Sequence, residues 1–277
     1  MTVPYSLSIL IPTIDESESL RTTVETLMGD RELNLDILEI ILVTCQKTSD
    51  ATLNTCLELE AAHASRVHRI TQRLPRLGGA FRTGLARARG THVVTMFADL
   101  ESDPRLVPRL VSESKAFPGS IISASRWMDG GGLRDYGLVK LVLNYLFQRT
   151  CRFGCQAKVS DFTYGFRLYP AAVLQGIPWK ETDHAFVVEA ILQPHFRAVP
   201  IREVPAVWTP RKEGRRRFRF KQYLRYVPTV CRVLGQNLVP AASTFASDRG
   251  TTLETHTCNP VARGSKQMET ASLLPGQ

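Results

Sequence analysis

Apolar and amphipathic runs alternate through the first half of the chain. Residues 6–12 (SLSILIP) form a short β-rich apolar run stopped by Pro12, which predicts a strand. Residues 17–28 begin with cap-type side chains and place Leu20, Val24, Leu27 and Met28 at helical spacing. The alternation continues with strands at 38–43, 66–70 and 92–97 and at 120–124, and helices at 50–62, 78–89 and 104–116. The 50–62 helix is expected to start from an Asp50 cap, and the 78–89 helix carries glycines in its first turns.

Strands alternating with helices predict βαβ units and a mostly parallel sheet covered by helices on both faces. Ligands in such sheets sit beyond the carboxyl ends of the strands. Three polar segments then share one rim: 12–16, 44–50 and 97–103. The last of these, within FADLESDP, gathers Asp99, Glu101 and Asp103 at one strand end. In an extended segment Asp99 and Glu101 point to the same side and can reach one cation; the alternative is that Asp99 caps the next helix and Glu101 is solvated.

The pattern changes after residue 125. A loop precedes an amphipathic helix at 137–152, followed by a turn and short strand at 160–170 and a helix at 184–193. Residues 202–208 read as an edge strand carrying Pro205. Residues 220–234 form an apolar helical stripe with Pro228 as a kink. From about residue 240 the chain is polar, and 240–277 reads as a disordered tail behind a 1–239 domain whose last part, about 211–239, is basic and amphipathic.

Charge sharpens this picture. The net charge is +9, and residues 211–225 hold eight Lys or Arg against one Glu. The segment is either a solvated basic turn or an anion-binding element for phosphate, acidic lipid or nucleic acid. No nucleic-acid motif accompanies it, so no nucleic-acid partner is expected. No signal peptide or run of roughly 18 apolar residues is visible, so the chain is expected in the cytoplasm. The six cysteines form no CxxC pair and fit buried thiols rather than a zinc site. No phosphate loop or GxGxxG fingerprint is present.

Six segments in order carry a resemblance: LSILIPTIDE (7–16), GGAFRTGLARARG (78–90), ADLESDP (98–104), SRWMDGGG (125–132), SDFTYGFRLY (160–169) and REVPAVWTPRKEG (202–214). Together they resemble the family 2 glycosyltransferases of GT-A fold, and within them the dolichol-phosphate mannosyltransferase and polyprenyl-phosphate glycosyltransferase group. The resemblance implies an α/β, Rossmann-like GT-A domain and an inverting, metal-assisted sugar transferase. It implies a nucleotide-sugar donor, a polyprenyl phosphate acceptor at the inner membrane face and Mg²⁺ or Mn²⁺ as cofactor. That group often adds transmembrane helices; without one, contact with the membrane is peripheral or through a partner. The rival readings are a soluble hydroxyl acceptor, or a non-catalytic member that binds sugar nucleotides or lipids.

The resemblance also assigns roles. Pro12, Thr13 and Glu16 match a nucleotide-contacting segment, although Asp15 or Glu16 can instead cap the following helix. Gly78 and Gly79 are small, as a backbone passing close to a ligand requires. Asp99 and Glu101 are the metal ligands, and Asp99 is counted with the catalytic residues. Arg126 and Arg211 are the phosphate-facing cations, helped by Arg134 or Lys140 and by Arg215 and Arg216. Asp161 is the first candidate base for a hydroxyl acceptor, with Glu189 and Asp183 behind it; the alternative for Asp161 is a structural acid bonded to backbone or Arg167. The departures are Cys45 and Gln46 where the family has aspartates, with Thr48, Asp50 and Thr52 keeping the pattern, Asp15 where Asn is usual, and Phe97 in place of the first Asp of the Asp-x-Asp metal motif.

Overall fold

The computed structural model describes residues 4–211, 213 and 221–238. The expected 240–277 tail and most of the basic segment, including Arg215 and Arg216, lie outside the described residues. The strands are β1 (Leu7–Pro12), β2 (Ile37–Thr44), β3 (Val67–Thr71), β4 (His92–Thr95), β5 (Ile121–Ser125), β6 (Gly132–Leu133), β7 (Arg167–Pro170), β8 (Ile201–Pro205) and β9 (Val207–Trp208). The helices are α1 (Glu18–Gly29), α2 (Arg31–Asp36), α3 (Asp50–Ala62), α4 (Arg76–Leu85), α5 (Val107–Ala116), α6 (Leu138–Gly154), α7 (Ala171–Gln175), α8 (Phe186–Phe196) and α9 (Lys221–Leu238).

The main sheet has seven strands in the order β3-β2-β1-β4-β7-β5-β8. All neighbours are parallel except β7, which lies antiparallel between β4 and β5. β6 and β9 form a separate parallel pair. The predicted 202–208 strand is therefore broken at Ala206, with β8 at the sheet edge and β9 crossing to β6. The expected 104–116 helix begins as a 3₁₀ turn, Pro104–Leu106, capped by Asp103, and continues as α5. α3 is capped by Ser49, whose hydroxyl accepts from Thr52 N–H, rather than by Asp50.

Alternation along β1 divides the core. Leu7, Ile9 and Ile11 pack with Leu20, Val24 and Leu27 of α1 and with Cys56 and Leu59 of α3. Leu10 faces the other side with Ile41 and Val43, against Phe81 of α4 and α8 residues such as Val188 and Ile191. Both faces of the sheet are thus covered, as near-continuous apolar strands require. The order runs outward from the β1–β4 boundary in both directions, so the crevice opens beyond Pro12 and Thr95. Among the described residues, no helix is long and apolar enough to cross a membrane.

Candidate active site

The acid turn after β4 sits at this crevice, but it is not extended. Leu100 has φ +54°, the left-handed region, so the chain folds back between the two acids. The same-side argument for Asp99 and Glu101 therefore fails, yet one side chain gathers both. Arg211 Nη2 donates to Asp99 Oδ2 at 2.8 Å and Arg211 Nε donates to Glu101 Oε1 at 3.0 Å. Glu16 Oε1 lies 3.9 Å from Arg211 Nη1. The remaining oxygens are engaged too: Asp99 Oδ1 accepts Glu101 N–H at 3.1 Å and Glu101 Oε2 accepts Trp208 Nε1–H at 3.0 Å.

The electrostatics follow from this crowding. Burial, then the negative charge of Glu101, push the Asp99 carboxyl up to about 6, although Arg211 pulls the other way. Burial also works against the Arg211 charge, but Asp99 and Glu101 outweigh it and hold the guanidinium protonated beyond its ordinary range. Three carboxylates thus surround one guanidinium where the resemblance puts a divalent cation. Carboxylate oxygens are of the kind that Mg²⁺ and Mn²⁺ take, but among the described residues no group of three or more His, Cys, Asp or Glu is placed to hold a metal ion, and the cation seated among these acids is the chain's own. Arg211, expected to face phosphate, faces acid instead.

The segment that delivers Arg211 is tied down on both sides. Thr209 N–H donates to Glu101 O at 3.2 Å. Glu213 Oε1 accepts from Ser17 N–H at 3.1 Å and Ser17 Oγ–H at 2.8 Å, and Glu213 Oε2 accepts from Ser19 N–H at 2.8 Å. Glu213 therefore caps α1, a role the sequence offers to Asp15 or Glu16; Ser17 makes no side-chain cap of its own. Glu16 bonds instead to Ile14 and Asp15 N–H, at 2.8 and 2.9 Å.

Other expected site residues turn inward. Arg126 and Asp161, read as phosphate contact and base, pair with each other: Arg126 Nε–Asp161 Oδ2 is 2.7 Å and Nη2–Oδ1 is 2.9 Å. Asp161 is fully buried and Arg126 nearly so. Burial pushes the Asp161 carboxyl up and Arg126 more than reverses it, leaving it below its ordinary value. Asp161 therefore matches the alternative of a structural acid: its carboxylate is held by the Arg126 side chain and by the backbone N–H groups of Arg126 and Thr163, while Arg167 donates to its carbonyl oxygen. Arg126 also stacks over Tyr164 at 4.7 Å, and Tyr164 donates to Ser102 Oγ at 2.6 Å, so the pair braces the acid turn from behind. Glu189 is fully buried, accepting from Lys180 and Glu181 N–H and paired with Arg232 at 2.8 Å. Asp183 accepts from Ala185 N–H and pairs with Arg225.

Thr13 is buried, its N–H bonded to Val43 O at 3.0 Å and its hydroxyl 4.0 Å from Cys56 Sγ. Pro12 ends β1, half-buried. Gly79 answers to packing, since a Cβ there would lie 2.4 Å from Leu74 O. Gly78 is likewise pressed, a Cβ meeting Phe186 Cβ at 2.8 Å. Phe97 turns away from the crevice, its ring 5.7 Å from Phe81 in the second core. Arg134 is exposed, and Lys140 stacks over Tyr136 at 4.5 Å and Trp208 at 5.7 Å. The structure thus brings Glu16, Asp99, Glu101 and Arg211 together and sends Thr13, Gly79, Arg126 and Asp161 to the interior. Sequence reasoning missed Trp208 and Glu213; their signal was the segment REVPAVWTPRKEG, without the partners each would find.

Residues 8–177, more than half of the chain, match the family described as glycosyl transferase family 2. The chain belongs to that family. This family 2 chain is 24% identical over 231 residues to a dolichol-phosphate mannosyltransferase of Pyrococcus furiosus, covering 82% of itself and 63% of that protein. It is 28% identical over 214 residues to a polyprenol monophosphomannose synthase of Mycolicibacterium smegmatis, covering 74% of itself and 78% of that protein. The crystal structure of glucosyl-3-phosphoglycerate synthase from Mycobacterium tuberculosis with Mn²⁺, uridine diphosphate and phosphoglyceric acid superposes with a TM-score of 0.63 at 15% identity, covering 86% of this chain and 80% of that one. The likeness shows a shared fold: the mostly parallel GT-A sheet expected from the sequence.

Proposed function

We propose that this family 2 chain transfers a sugar from a nucleotide-sugar donor to the phosphate of a polyprenyl phosphate. The observation that carries the choice of acceptor is the state of the candidate bases. A hydroxyl acceptor needs a carboxylate within hydrogen-bond reach to take its proton. Asp161, Glu189 and Asp183 are each held by an arginine, and the first two are fully buried. A lipid phosphate is already an anion and needs no base. Its oxygen bonds to the anomeric carbon as the bond to the nucleoside diphosphate breaks; attack from the opposite face inverts that carbon.

The donor site in this reading is the crevice beyond β1 and β4, with Glu16, Asp99, Glu101 and Arg211 around it. Asp99 and Glu101 would hold Mg²⁺ or Mn²⁺, which supplies positive charge against the departing diphosphate. Arg211 would contact phosphate once it leaves the acids, and its planar fork suits that task. The names of the two curated relatives, both enzymes of prenyl-type phosphates, support the acceptor class.

The test is transfer with the full chain, radiolabelled nucleotide sugars and a short polyprenyl phosphate. Label in the organic phase is the expected result. Label carried only into water-soluble product would replace the lipid acceptor by a hydroxyl one. No transfer from any donor, with nucleotide still raising the melting temperature, would make the chain a non-catalytic binder.

A further inference from the structure

We infer that a cleft between α4 and α7 is a binding site for a small monocarboxylate with an apolar body. The cleft has a volume of about 320 Å³, the size of a small-molecule site. Leu85 and Ala88 line it from the end of α4 and the turn that follows, Val93 from β4, Leu174 from α7, and Trp179 from the loop after α7. α7 has five residues, Ala171–Gln175, and is too short to close the gap beside α4. Glu16, Asp99, Glu101 and Arg211 take no part in the cleft, so it is separate from the crevice.

The aromatic wall is already in place. Trp179 Nε1–H donates to Leu174 O at 3.2 Å, and the indole stacks on Phe186 at 4.7 Å. Phe186 stacks in turn on Phe81 of α4 at 5.2 Å. With its N–H spent, the indole offers a ligand apolar surface. Its ring is held by these contacts and need not be ordered on binding.

The polar groups define the head of the ligand. Arg82 and Gln175 supply the polar side chains of the cleft. Arg82 is half-buried, and among the described residues no carboxylate pairs with it. Its own stretch of chain has none to give: residues 61–98 hold seven arginines and no Asp or Glu. The acids that follow Trp179 are spent, Glu181 and Glu189 on Arg232 and Asp183 on Arg225. A guanidinium beside apolar walls, without a counter-charge, favours a carboxylate held by its planar fork. One cation suits a single negative charge, a ligand cation is repelled, and a neutral alcohol leaves the guanidinium unanswered. The inference stands apart from the proposed transfer, and its test needs neither donor nor acceptor.

The test is titration of the full chain with phenylacetate, phenethyl alcohol and phenethylamine, followed by ligand-observed NMR. Phenylacetate should bind saturably, at least about tenfold more tightly than the alcohol or the amine. Arg82→Gln should weaken phenylacetate at least about tenfold and leave the alcohol unchanged. Arg87→Gln, exposed and outside the cleft, should change neither. Ala88→Leu should fill the cleft and weaken both. Arg82→Gln keeps the bulk of the side chain, so it decides the matter should Ala88→Leu fail to fold. Uridine diphosphate should not displace phenylacetate. Equal binding of phenylacetate and alcohol, equal binding by wild type and Arg82→Gln, displacement by uridine diphosphate, or no saturable binding overturns the inference.

Discussion

Replacing Arg211 with Gln should tighten the binding of Mn²⁺ to the acid turn, although it removes a cation from the site. Arg211 sits 2.8 Å from Asp99 and 3.0 Å from Glu101, so an incoming cation must displace its charge. Two unit charges about 4 Å apart interact by ~4 kcal/mol at an effective dielectric of ~20. Part of this offsets the burial of the guanidinium. A remainder of ~1.5–3 kcal/mol corresponds to roughly 10–100-fold in affinity. Glutamine keeps bulk and a donor near Trp208 while removing the charge. The assay is titration of Mn²⁺ followed by the electron paramagnetic resonance of the free ion, without nucleotide. Turnover should fall in the same variant if, as proposed, Arg211 moves to the phosphate during transfer. Unchanged or weaker Mn²⁺ affinity would refute the competition and leave Arg211 a fixed structural partner of the acids.

Asp161→Asn should destabilise the fold by ~3–5 kcal/mol, since it strands the buried Arg126 charge; an unfolding curve matching wild type, with activity lost, would restore Asp161 to the role of base. Glu213→Gln should weaken the α1 cap and cost ~0.5–2 kcal/mol at neutral pH. Burial pushes the Glu213 carboxyl up, but the hydrogen bonds from Ser19, Ser17 and Glu18 together outweigh it and hold it down at about 2. Its folded-state value is depressed, so its contribution is present above the ordinary value of 4.5 and disappears as pH falls through about 2. Denaturant curves of wild type and variant should converge across that window, and a constant gap would refute the linkage.

The sheet was legible because its strands are buried on both faces and stand out as apolar runs: LSILIP, LEIILV and HVVT need no partner to be recognised. The place of β7 was not, because RLYP is too short to show that it runs antiparallel between β4 and β5. At the site, position was legible and pairing was not. The acids of FADLESDP belong to the crevice, as the rim argument requires. Yet Arg126 and Asp161 lie 35 residues apart, and only the fold shows that each neutralises the other. Gly79 illustrates the same limit: local chemistry demands a small residue, and tertiary packing against Leu74, not a ligand, supplies the reason.

The tie between Glu213 and Ser17 joins residues 196 positions apart. Its consequence is one of time. During synthesis the N-terminal strands and the acid turn emerge long before the segment that carries Arg211 and Glu213. Until that segment arrives, α1 lacks its cap and Asp99 and Glu101 face each other without their counter-charge. Contacts of such sequence separation also close slowly, because the long intervening loop must first be ordered. The crevice is therefore the last part of the fold to be completed, and a chain ending short of residue 211 would have the sheet without the arginine that gathers its acids.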